Sequence, residues 1–254
     1  MVLRTLGRQT WLWKLLSFAL FFGAWEIAGR IPISLSFPTF SDTFVAFVTM
    51  TFNGDFAGAY LQTVQPLIIG IAISSVAGVG FGVIMGLWRT MEWLMVVIFI
   101  ILYAAPVAAI IPLVTYLYGI GLTSKVIAVV IMALPLIVLN CYKGVRHTHP
   151  SLVEMVRSFQ GTRWQEIRMI ILPAASSLIF AGLRLGVGAG FIGVVLAELL
   201  ITPTGIGDLI TYHRSVADYP EMFADITSII ALSAVTLTVL LKLEFLVRPE
   251  TRRR

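Results

Sequence analysis

The chain has 254 residues, of which 58% are hydrophobic and only 12% are charged, and its mean hydropathy is +0.94. A soluble protein needs a charged surface, so this composition excludes an ordinary soluble domain and predicts a membrane protein. The net charge of +5 would suit a nucleic-acid partner. However, the basic residues lie between apolar runs and not on one solvated face, so no nucleic acid is expected. The single cysteine, Cys141, excludes an intramolecular disulfide, and no histidines accompany it at zinc-ligand spacing.

Six apolar runs predict membrane-spanning helices, each of which needs about 20 mostly apolar residues. They cover residues 11–28, 64–87, 93–117, 124–142, 175–200 and 226–247. The first run follows Arg4 and Arg8 as a signal peptide would, but no small-residue cleavage site follows it, and we expect a retained helix. The sequence therefore predicts an all-α, polytopic membrane protein with about six transmembrane helices in a single domain over residues 1–254.

The basic residues are distributed unequally between alternate loops. One side of the membrane receives only Arg30, Lys125 and Arg214. The other side receives Arg4, Arg8, Lys14, Arg89, Lys143, Arg146, Arg157, Arg163, Arg168, Lys242, Arg248, Arg252, Arg253 and Arg254. Because lysine and arginine are enriched in cytoplasmic loops, both termini are predicted to be cytoplasmic, and the stretch "GIGDLITYHRSVADYPEMFAD" is predicted to face outward.

Two kinds of chemistry are not supported by the sequence. A phosphate-binding loop of the form G-x-x-x-x-G-K-[ST] is missing, since none of the four lysines follows a glycine. An enzyme would need a cluster of reactive side chains, but His147, His149 and His213 lie in predicted loops without partners and are interpreted as solvated.

An ion-coupled carrier or a channel is the alternative function. Such proteins carry ionisable residues inside their helices. Here only Arg184 lies clearly within a span, whereas Glu26 and Glu198 fall near the outer ends, where we expect water to reach them. Arg184 is interpreted either as a functional charge or as a structural charge paired with a carbonyl or carboxylate.

The loop between the fourth and fifth spans is unusually polar and reads "VEMVRSFQGTRWQEIRMIILP" over residues 153–173. Pro150 is a plausible helix start, and the apolar residues that follow predict an amphipathic helix of about two turns. Those residues are Leu152, Met155, Val156 and Phe159. We expect Gly161 to end this helix in the left-handed conformation, Thr162 to cap the next helix, and the fifth span to begin near Pro173. A helix this short is marginal in water and needs a surface to pack against.

This stretch resembles the cytoplasmic coupling loop in the permease subunits of binding-protein-dependent ABC importers. The family pattern is E-A-A, three residues, G, nine residues, I, one residue and L-P. The positions that match are Glu154, Ile170, Leu172 and Pro173. Met155 and Val156 replace the two alanines, and Gln160 stands at the glycine position with Gly161 after it. We expect Gly161 to break the helix one residue late.

The resemblance covers most of the chain. The segments "FPTFSDTFVAF", "GVIMGLWR", "AAIIPLVTYLYGIG" and "TGIGDLI" follow the order seen in the nitrate, sulfonate and taurine branch, which includes permeases for vitamin precursors and aromatic acids. That branch often carries an arginine and a proline where this chain has Tyr103 and Ala104. The resemblance therefore does not imply an anionic substrate.

The resemblance implies a type I ABC importer permease in the bacterial cytoplasmic (inner) membrane. Its partners would be a second permease subunit (an identical copy or a close homologue), two ATPase subunits that bind ATP and Mg, and an extracytoplasmic solute-binding protein. The chain itself would hold no cofactor, metal or catalytic residue. The coupling loop, about residues 143–173, would use Glu154, Met155, Arg157, Gln160, Gly161, Arg163, Ile170, Leu172 and Pro173. The translocation path or gate would involve Tyr103, Pro106, Pro112, Tyr116, Arg184, Gly186, Gly190 and Glu198.

Three further patterns have two interpretations each. Gly182, Gly186 and Gly190 recur every four residues, which favours close helix packing either between subunits or within one subunit. The aromatic residues near the third span either pack and anchor the helix or stack on an aromatic substrate; they are Phe99, Tyr103, Tyr116 and Tyr118. The acidic residues of the outward stretch either are solvated or meet the binding protein; they are Asp208, Asp218, Glu221 and Asp225.

Overall fold

The fold is taken from a computed structural model that describes residues 2–31, 36–201 and 203–247, without the side chains of residues 2–10, 246 and 247. Every regular element in these ranges is a helix. The helices are α1 (Val2–Arg30), α2 (Phe40–Asn53), α3 (Asp55–Leu87), α4 (Arg89–Ala104), α5 (Val107–Tyr118), α6 (Leu122–Arg146), α7 (Pro150–Ser158), α8 (Arg163–Glu166), a π-helical segment (Ile167–Ile171), α9 (Leu172–Leu200), α10 (Ile206–Ser215) and α11 (Tyr219–Val247).

Among the described residues, five helical stretches are long and apolar enough to cross a membrane, and a sixth results if α4 and α5 together form one span. The five are Trp11–Arg30, Asp55–Leu87, Leu122–Arg146, Arg163–Leu200 and Tyr219–Phe245. The predicted all-α, polytopic architecture is confirmed. The basic residues Arg248, Arg252, Arg253 and Arg254, and the side chains of Arg4 and Arg8, lie outside the described part of the chain.

The third span is not the single helix that the apolar run 93–117 predicted. It breaks into α4 and α5, which are bent by 97°. Ala105 between them is extended, with φ −65° and ψ 138°. This backbone is the one that a following proline imposes, because the Pro106 ring disfavours a helical conformation at the residue before it. Hydropathy reports the apolar run and does not detect this break.

The fifth span begins earlier than predicted. Its helix runs without interruption from Arg163 to Leu200, so Pro173 lies inside it and not at its start. The preceding turn, Ile167–Ile171, is π-helical. A proline within a helix removes one backbone hydrogen bond and crowds the carbonyl four residues before it, and local π geometry is one way in which helices absorb such a disturbance.

The residues divide into two compact units. The first contains the residues up to Ala59 and Leu209–Ile230. Within it, α2 begins with the Thr39 side chain accepting a hydrogen bond from the Asp42 N–H and ends at Gly54, which has φ 82°. Trp25 lies at the centre of an aromatic cluster, with ring centroids 5.6 Å from Phe40 and 6.1 Å from Phe223. A helix of 14 residues is too short to cross a bilayer, so α2 adds no span.

The second unit contains Tyr60–Asp208 and the residues from Ala231 onward. Its centre is α6, against which α3 and α9 both pack through glycines. A Cβ atom at Gly186 of α9 would lie 2.5 Å from Ile137 Cγ1, and one at Gly78 of α3 would lie 2.7 Å from Ile137 Cγ2. Gly182 and Gly193 of α9 approach α6 in the same way. The glycine stripe of the fifth span therefore serves packing within the subunit, where small residues let helices approach closely.

Candidate functional site

The predicted coupling helix is present as α7. Pro150 occupies its first turn, where a missing N–H costs nothing, so the predicted start is confirmed. No residue of α7 is buried. Val153 packs against the cluster formed by Val145, Ile171 and Ala175, and this contact attaches the helix to the C-terminal end of α6 and the N-terminal end of α9.

The helix ends differently from the prediction. Gln160 has φ 56° and takes the left-handed conformation, whereas Gly161 does not, so the expectation that Gly161 breaks the helix one residue late is wrong. The Gly161 N–H donates to Val156 O at 2.9 Å and the Gln160 N–H donates to Arg157 O at 2.9 Å. This pair of bonds is a Schellman motif, which requires a left-handed residue at the position of Gln160. The chain therefore breaks the helix where the family has its glycine, but with glutamine.

Gly161 is required for a different reason. A Cβ atom at this position would collide with Val156 Cγ1 and lie 3.0 Å from Val156 O. The next residue, Thr162, caps α8 as predicted: its hydroxyl accepts from the Gln165 N–H, and its own N–H donates to Gln165 Oε1 at 2.7 Å. This reciprocal pair is a capping box, which satisfies two N–H groups at the helix start.

Glu166 is a site residue that the sequence analysis did not select. It is only 4% exposed, although it lies in the polar loop. Its carboxylate accepts from Arg163 Nη1 at 2.6 Å and from Arg157 Nε at 3.3 Å. Because Arg157 belongs to α7 and Glu166 to the helix of the fifth span, this ion cluster links the two helices. The sequence did contain a signal for this site: Glu166 is an acidic residue close to several arginines.

On the exposed surface of α7 and α8, four large apolar side chains have no packing partner among the described residues. Phe159 is 83% exposed, Trp164 65%, Met155 46% and Leu152 39%. Glu154 is also exposed and lies in the middle of α7, so it does not cap a helix end in this subunit. Among the matched motif residues that follow, Ile170 and Leu172 are half-buried, whereas Pro173 is exposed. The amphipathic helix predicted from the sequence therefore presents an apolar face.

The residues predicted for the translocation path fall into two sets. Tyr103, Pro106, Pro112 and Tyr116 are exposed on α4 and α5 or at the break between them. Gly186, Gly190 and Glu198 are buried inside the subunit. Phe99 is 5% exposed and packs against Phe81 at 6.0 Å between centroids, so it is not free to stack on a substrate, whereas Tyr118 is exposed.

Arg184 forms an ion pair with Glu244 of α11. The half-buried guanidinium lies within the fifth span, where an unpaired charge would be costly. Of the two interpretations of Arg184, the pairing favours a structural charge.

Glu198 is buried and not water-accessible, which corrects the sequence prediction. Its side chain is 0% exposed, and Lys125 Nζ lies 2.7 Å from its Oε1. Lys125 was assigned to an outer loop, but it lies in the first turn of α6 with its side chain 3% exposed. The two residues are 73 positions apart, so no local pattern could reveal the pair. We call this pair and its hydrogen-bond partners the Lys125–Glu198 network.

The Lys125–Glu198 network satisfies both charges. Lys125 Nζ also donates to Thr204 O at 3.0 Å and to Gln62 O at 3.3 Å, which uses all three ammonium N–H groups. Glu198 accepts from the Thr63 hydroxyl at 2.9 Å and from the Gly207 N–H at 3.0 Å. The network thereby joins α3, α6, α9 and the turn into α10.

The glycines of "TGIGDLI" are explained by the same carboxylate. Gly205 has φ 92°, and a Cβ atom there would collide with Glu198 Oε1. A Cβ atom at Gly207 would collide with Glu198 Cβ. Both positions therefore need glycine, because the backbone must approach the buried side chain closely.

Two polar residues of the stretch predicted to face outward are buried, although His213 was interpreted as solvated and Asp225 either as solvated or as a contact of the binding protein. His213 is 7% exposed and Asp225 is 0% exposed. His213 Nδ1 lies 2.7 Å from Asp225 Oδ2, and His213 Nε2 lies 3.0 Å from Glu221 Oε2. Asp225 is therefore held inside the first unit and is not presented as surface charge.

The sequence matches a known protein family and individual permease proteins of transport systems. A family model described as "Binding-protein-dependent transport system inner membrane component" matches residues 78–249. The putative aliphatic sulfonates transport permease protein SsuC of Bacillus subtilis is 25% identical over 221 residues, which cover 86% of this chain and 80% of SsuC. The riboflavin transport system permease protein RibX of Chloroflexus aurantiacus is 34% identical over 137 residues, which cover 54% of this chain and 51% of RibX.

The fold is also found among solved structures. A chain of the crystal structure of an amino acid ABC transporter with histidines superposes with a TM-score of 0.62 at 16% identity, covering 80% of this chain and 97% of that chain. The predicted resemblance to importer permeases, including the sulfonate branch, is confirmed. Because the family model matches more than half of the sequence, the chain belongs to the inner membrane components of binding-protein-dependent transport systems: it is a permease subunit of an ABC importer and not an enzyme.

Proposed function

We propose that this permease is driven through the loop formed by α7 and α8, which docks on a separate ATPase subunit in the cytoplasm. The exposed apolar face of Leu152, Met155, Phe159 and Trp164 supports this proposal most directly. An apolar patch in a polar loop marks a contact with another protein. Glu166 holds α7 to the helix of the fifth span, so movement of the docked helix would reach the membrane.

The partner assembly follows from the family, which implies an ATPase and a solute-binding protein. We infer that two copies of this permease, or this chain and a close homologue, enclose one solute path. Two ATPase subunits would bind ATP and Mg below them, and the binding protein would dock above. If α4 and α5 together count as one span, six spans return the chain to its starting side. The distribution of lysine and arginine then supports a cytoplasmic location for both termini.

The solute is proposed to be small and polar or aromatic, such as a sulfonate, nitrate, taurine, an aromatic acid or a vitamin precursor. The relatives named for aliphatic sulfonates and for riboflavin support this range. Tyr103 and Tyr116 are 59% and 88% exposed and could line the path beside Pro106 and Pro112. Arg184 is already paired with Glu244, so an anionic group would find no free partner there.

The docking proposal is tested by co-purification from native membranes through a terminal tag. Phe159→Glu places a charge in the centre of the apolar face and should abolish recovery of the ATPase subunit, as identified by mass spectrometry. Phe159→Leu keeps an apolar side chain and should retain most of it. Both variants should elute as folded protein in size exclusion, because Phe159 makes no buried contact. Equal recovery of the ATPase with Phe159→Glu and with the wild type would reject α7 as the docking site.

A further inference from the structure

The fifth-span helix has a buried glutamate near each end. Arg163–Leu200 is a continuous helix of 38 residues. At 1.5 Å per residue it is about 57 Å long, well beyond the hydrocarbon core of about 30 Å, so its two ends lie at opposite membrane surfaces. Glu166 near the inner end holds Arg157 of α7, and Glu198 near the outer end holds Lys125 and the turn at residues 203–207.

The Lys125–Glu198 network does more than stabilise the fold. A buried ion pair gains little over well-packed apolar side chains, because both charges lose their hydration. The Lys125–Glu198 network instead holds the turn at residues 203–207 in a single geometry. The Gly207 N–H and Thr204 O are bonded to opposite partners of the ion pair, so the turn cannot shift without breaking a charged hydrogen bond. Fully satisfied buried networks make the structure around them rigid.

The turn is held from a second side as well. The Ile206 N–H donates to Thr63 Oγ1 at 3.0 Å, and the same hydroxyl donates to Glu198. Gly205 and Gly207 leave no space between the turn and the carboxylate. Residues 203–207 therefore move with the outer end of α9.

We propose that Lys125 and Glu198 are positioning residues that fix the outward turn 203–207 to α9, so that docking of the binding protein at the outer surface changes the position of α7 at the inner surface. This inference rests on the proposed function, because it needs the ATPase to be bound at α7. Neither residue lines the solute path in this role, since both are enclosed within the subunit.

The test uses the complex of permease and ATPase subunits in lipid nanodiscs, with purified binding protein of the same system as the probe. The variant is the double substitution Lys125→Met and Glu198→Gln, which removes both charges and keeps side-chain length. A control substitution, Arg30→Met, breaks an ion pair through a side chain that is 72% exposed on the same predicted side of the membrane, and it leaves the contacts of Glu26 with Ser41 in place. ATP hydrolysis is measured with and without binding protein, and amide hydrogen exchange is followed over residues 203–208.

The double variant should show exchange at Gly207 at least tenfold faster than in the wild type, because its N–H loses the carboxylate acceptor. Exchange at Ile206 should also rise, because the Thr63 hydroxyl that accepts its N–H is no longer held by a carboxylate. Stimulation of ATP hydrolysis by the binding protein should fall at least fivefold, while the ATPase subunit stays bound and hydrolysis without binding protein stays within twofold. The control should match the wild type in both measurements. A purely structural role would lower stimulated and unstimulated hydrolysis together, and that result would overturn the proposal.

A milder variant covers the case in which the double variant does not fold. Thr63→Val keeps the ion pair and removes the hydroxyl between Ile206 and Glu198, so exchange at Ile206 should rise and stimulation should fall about twofold. Full stimulation despite faster exchange would overturn the inference. A wild-type chain that binds no ATPase would instead reject the proposed function, and exchange alone would then still decide whether the network anchors the turn.

Discussion

The two glutamates of the fifth-span helix show how the surroundings of one residue type change its role. At the predicted inner end, Glu166 is buried but its arginine partners are 56% and 60% exposed at their side chains, so water screens the ion pairs. At the predicted outer end, the side chains of Glu198 and Lys125 are both almost completely enclosed. The inner cluster can therefore rearrange at modest cost, whereas removing either charged side chain of the outer pair leaves the other charge buried and unpaired.

The largest effect is expected from breaking the outer pair. Lys125→Met alone leaves the Glu198 carboxylate without its counter-ion and should destabilise the permease by about 3–5 kcal/mol, enough to remove most folded protein from the membrane. The double substitution with Glu198→Gln should recover most of that loss, because no charge remains. The yield of folded protein and its thermal midpoint in detergent measure the loss of stability in the single and the double variant. Equal losses for single and double variants would show that the pair is not coupled.

A smaller loss of stability is expected when the packing of α9 against α6 is disturbed. Gly186→Leu forces a side chain against Ile137 of α6, where even a Cβ atom would be too close. Overpacking of this kind typically costs about 1–3 kcal/mol. Gly188→Leu on the same helix is the matched control, because a Cβ there meets nothing within 4 Å. The thermal midpoint should fall for Gly186→Leu only, and a fall in both would indicate that helix length or hydrophobicity is responsible.

At the inner cluster, Glu166→Gln should cost only about 1 kcal/mol, since the arginines remain hydrated when the carboxylate is neutralised. The main effect of Glu166→Gln should be on the coupling between the ATPase and solute uptake. ATP-driven uptake should fall more than ATPase binding, because α7 still docks but is held less firmly to the span. Uptake in proteoliposomes and co-purification measure the two separately. A loss of binding equal to the loss of uptake would assign Glu166 to docking itself.

The smallest effect concerns Gln160. A residue other than glycine in the left-handed conformation costs about 1 kcal/mol, so Gln160→Gly should raise the thermal midpoint by a few degrees at most. Gly161→Ala should lower it, because its Cβ meets Val156. Opposite signs for these neighbouring substitutions would confirm the Schellman turn. A rise for Gly161→Ala would contradict it.

The spans could be predicted because bilayer thickness and hydropathy fix their length and composition. The break at Pro106 and the early start of the fifth span were missed, because both depend on local backbone geometry within apolar sequence. In the loop that contains α7 and α8, the capping box of Thr162 and Gln165 follows from neighbouring residues, whereas the left-handed Gln160 does not, since propensity favours the glycine beside it. The Lys125–Glu198 pair depends on helix packing, which joins residues distant in sequence.

The claim that α7 transmits ATP-driven movement is tested most directly by photo-crosslinking from position 159 in intact membranes. The only native cysteine, Cys141, is buried with 0% exposure, so Phe159→Cys provides a single accessible thiol for a photoreactive maleimide among the described residues. Phe52→Cys, at a side chain that is 86% exposed in α2, is the control. We predict that illumination links position 159, and not position 52, to an ATPase subunit, with a yield that changes when ATP is added. A folded Phe159→Cys permease that gives no ATPase product, or gives the same product from position 52, would contradict the account.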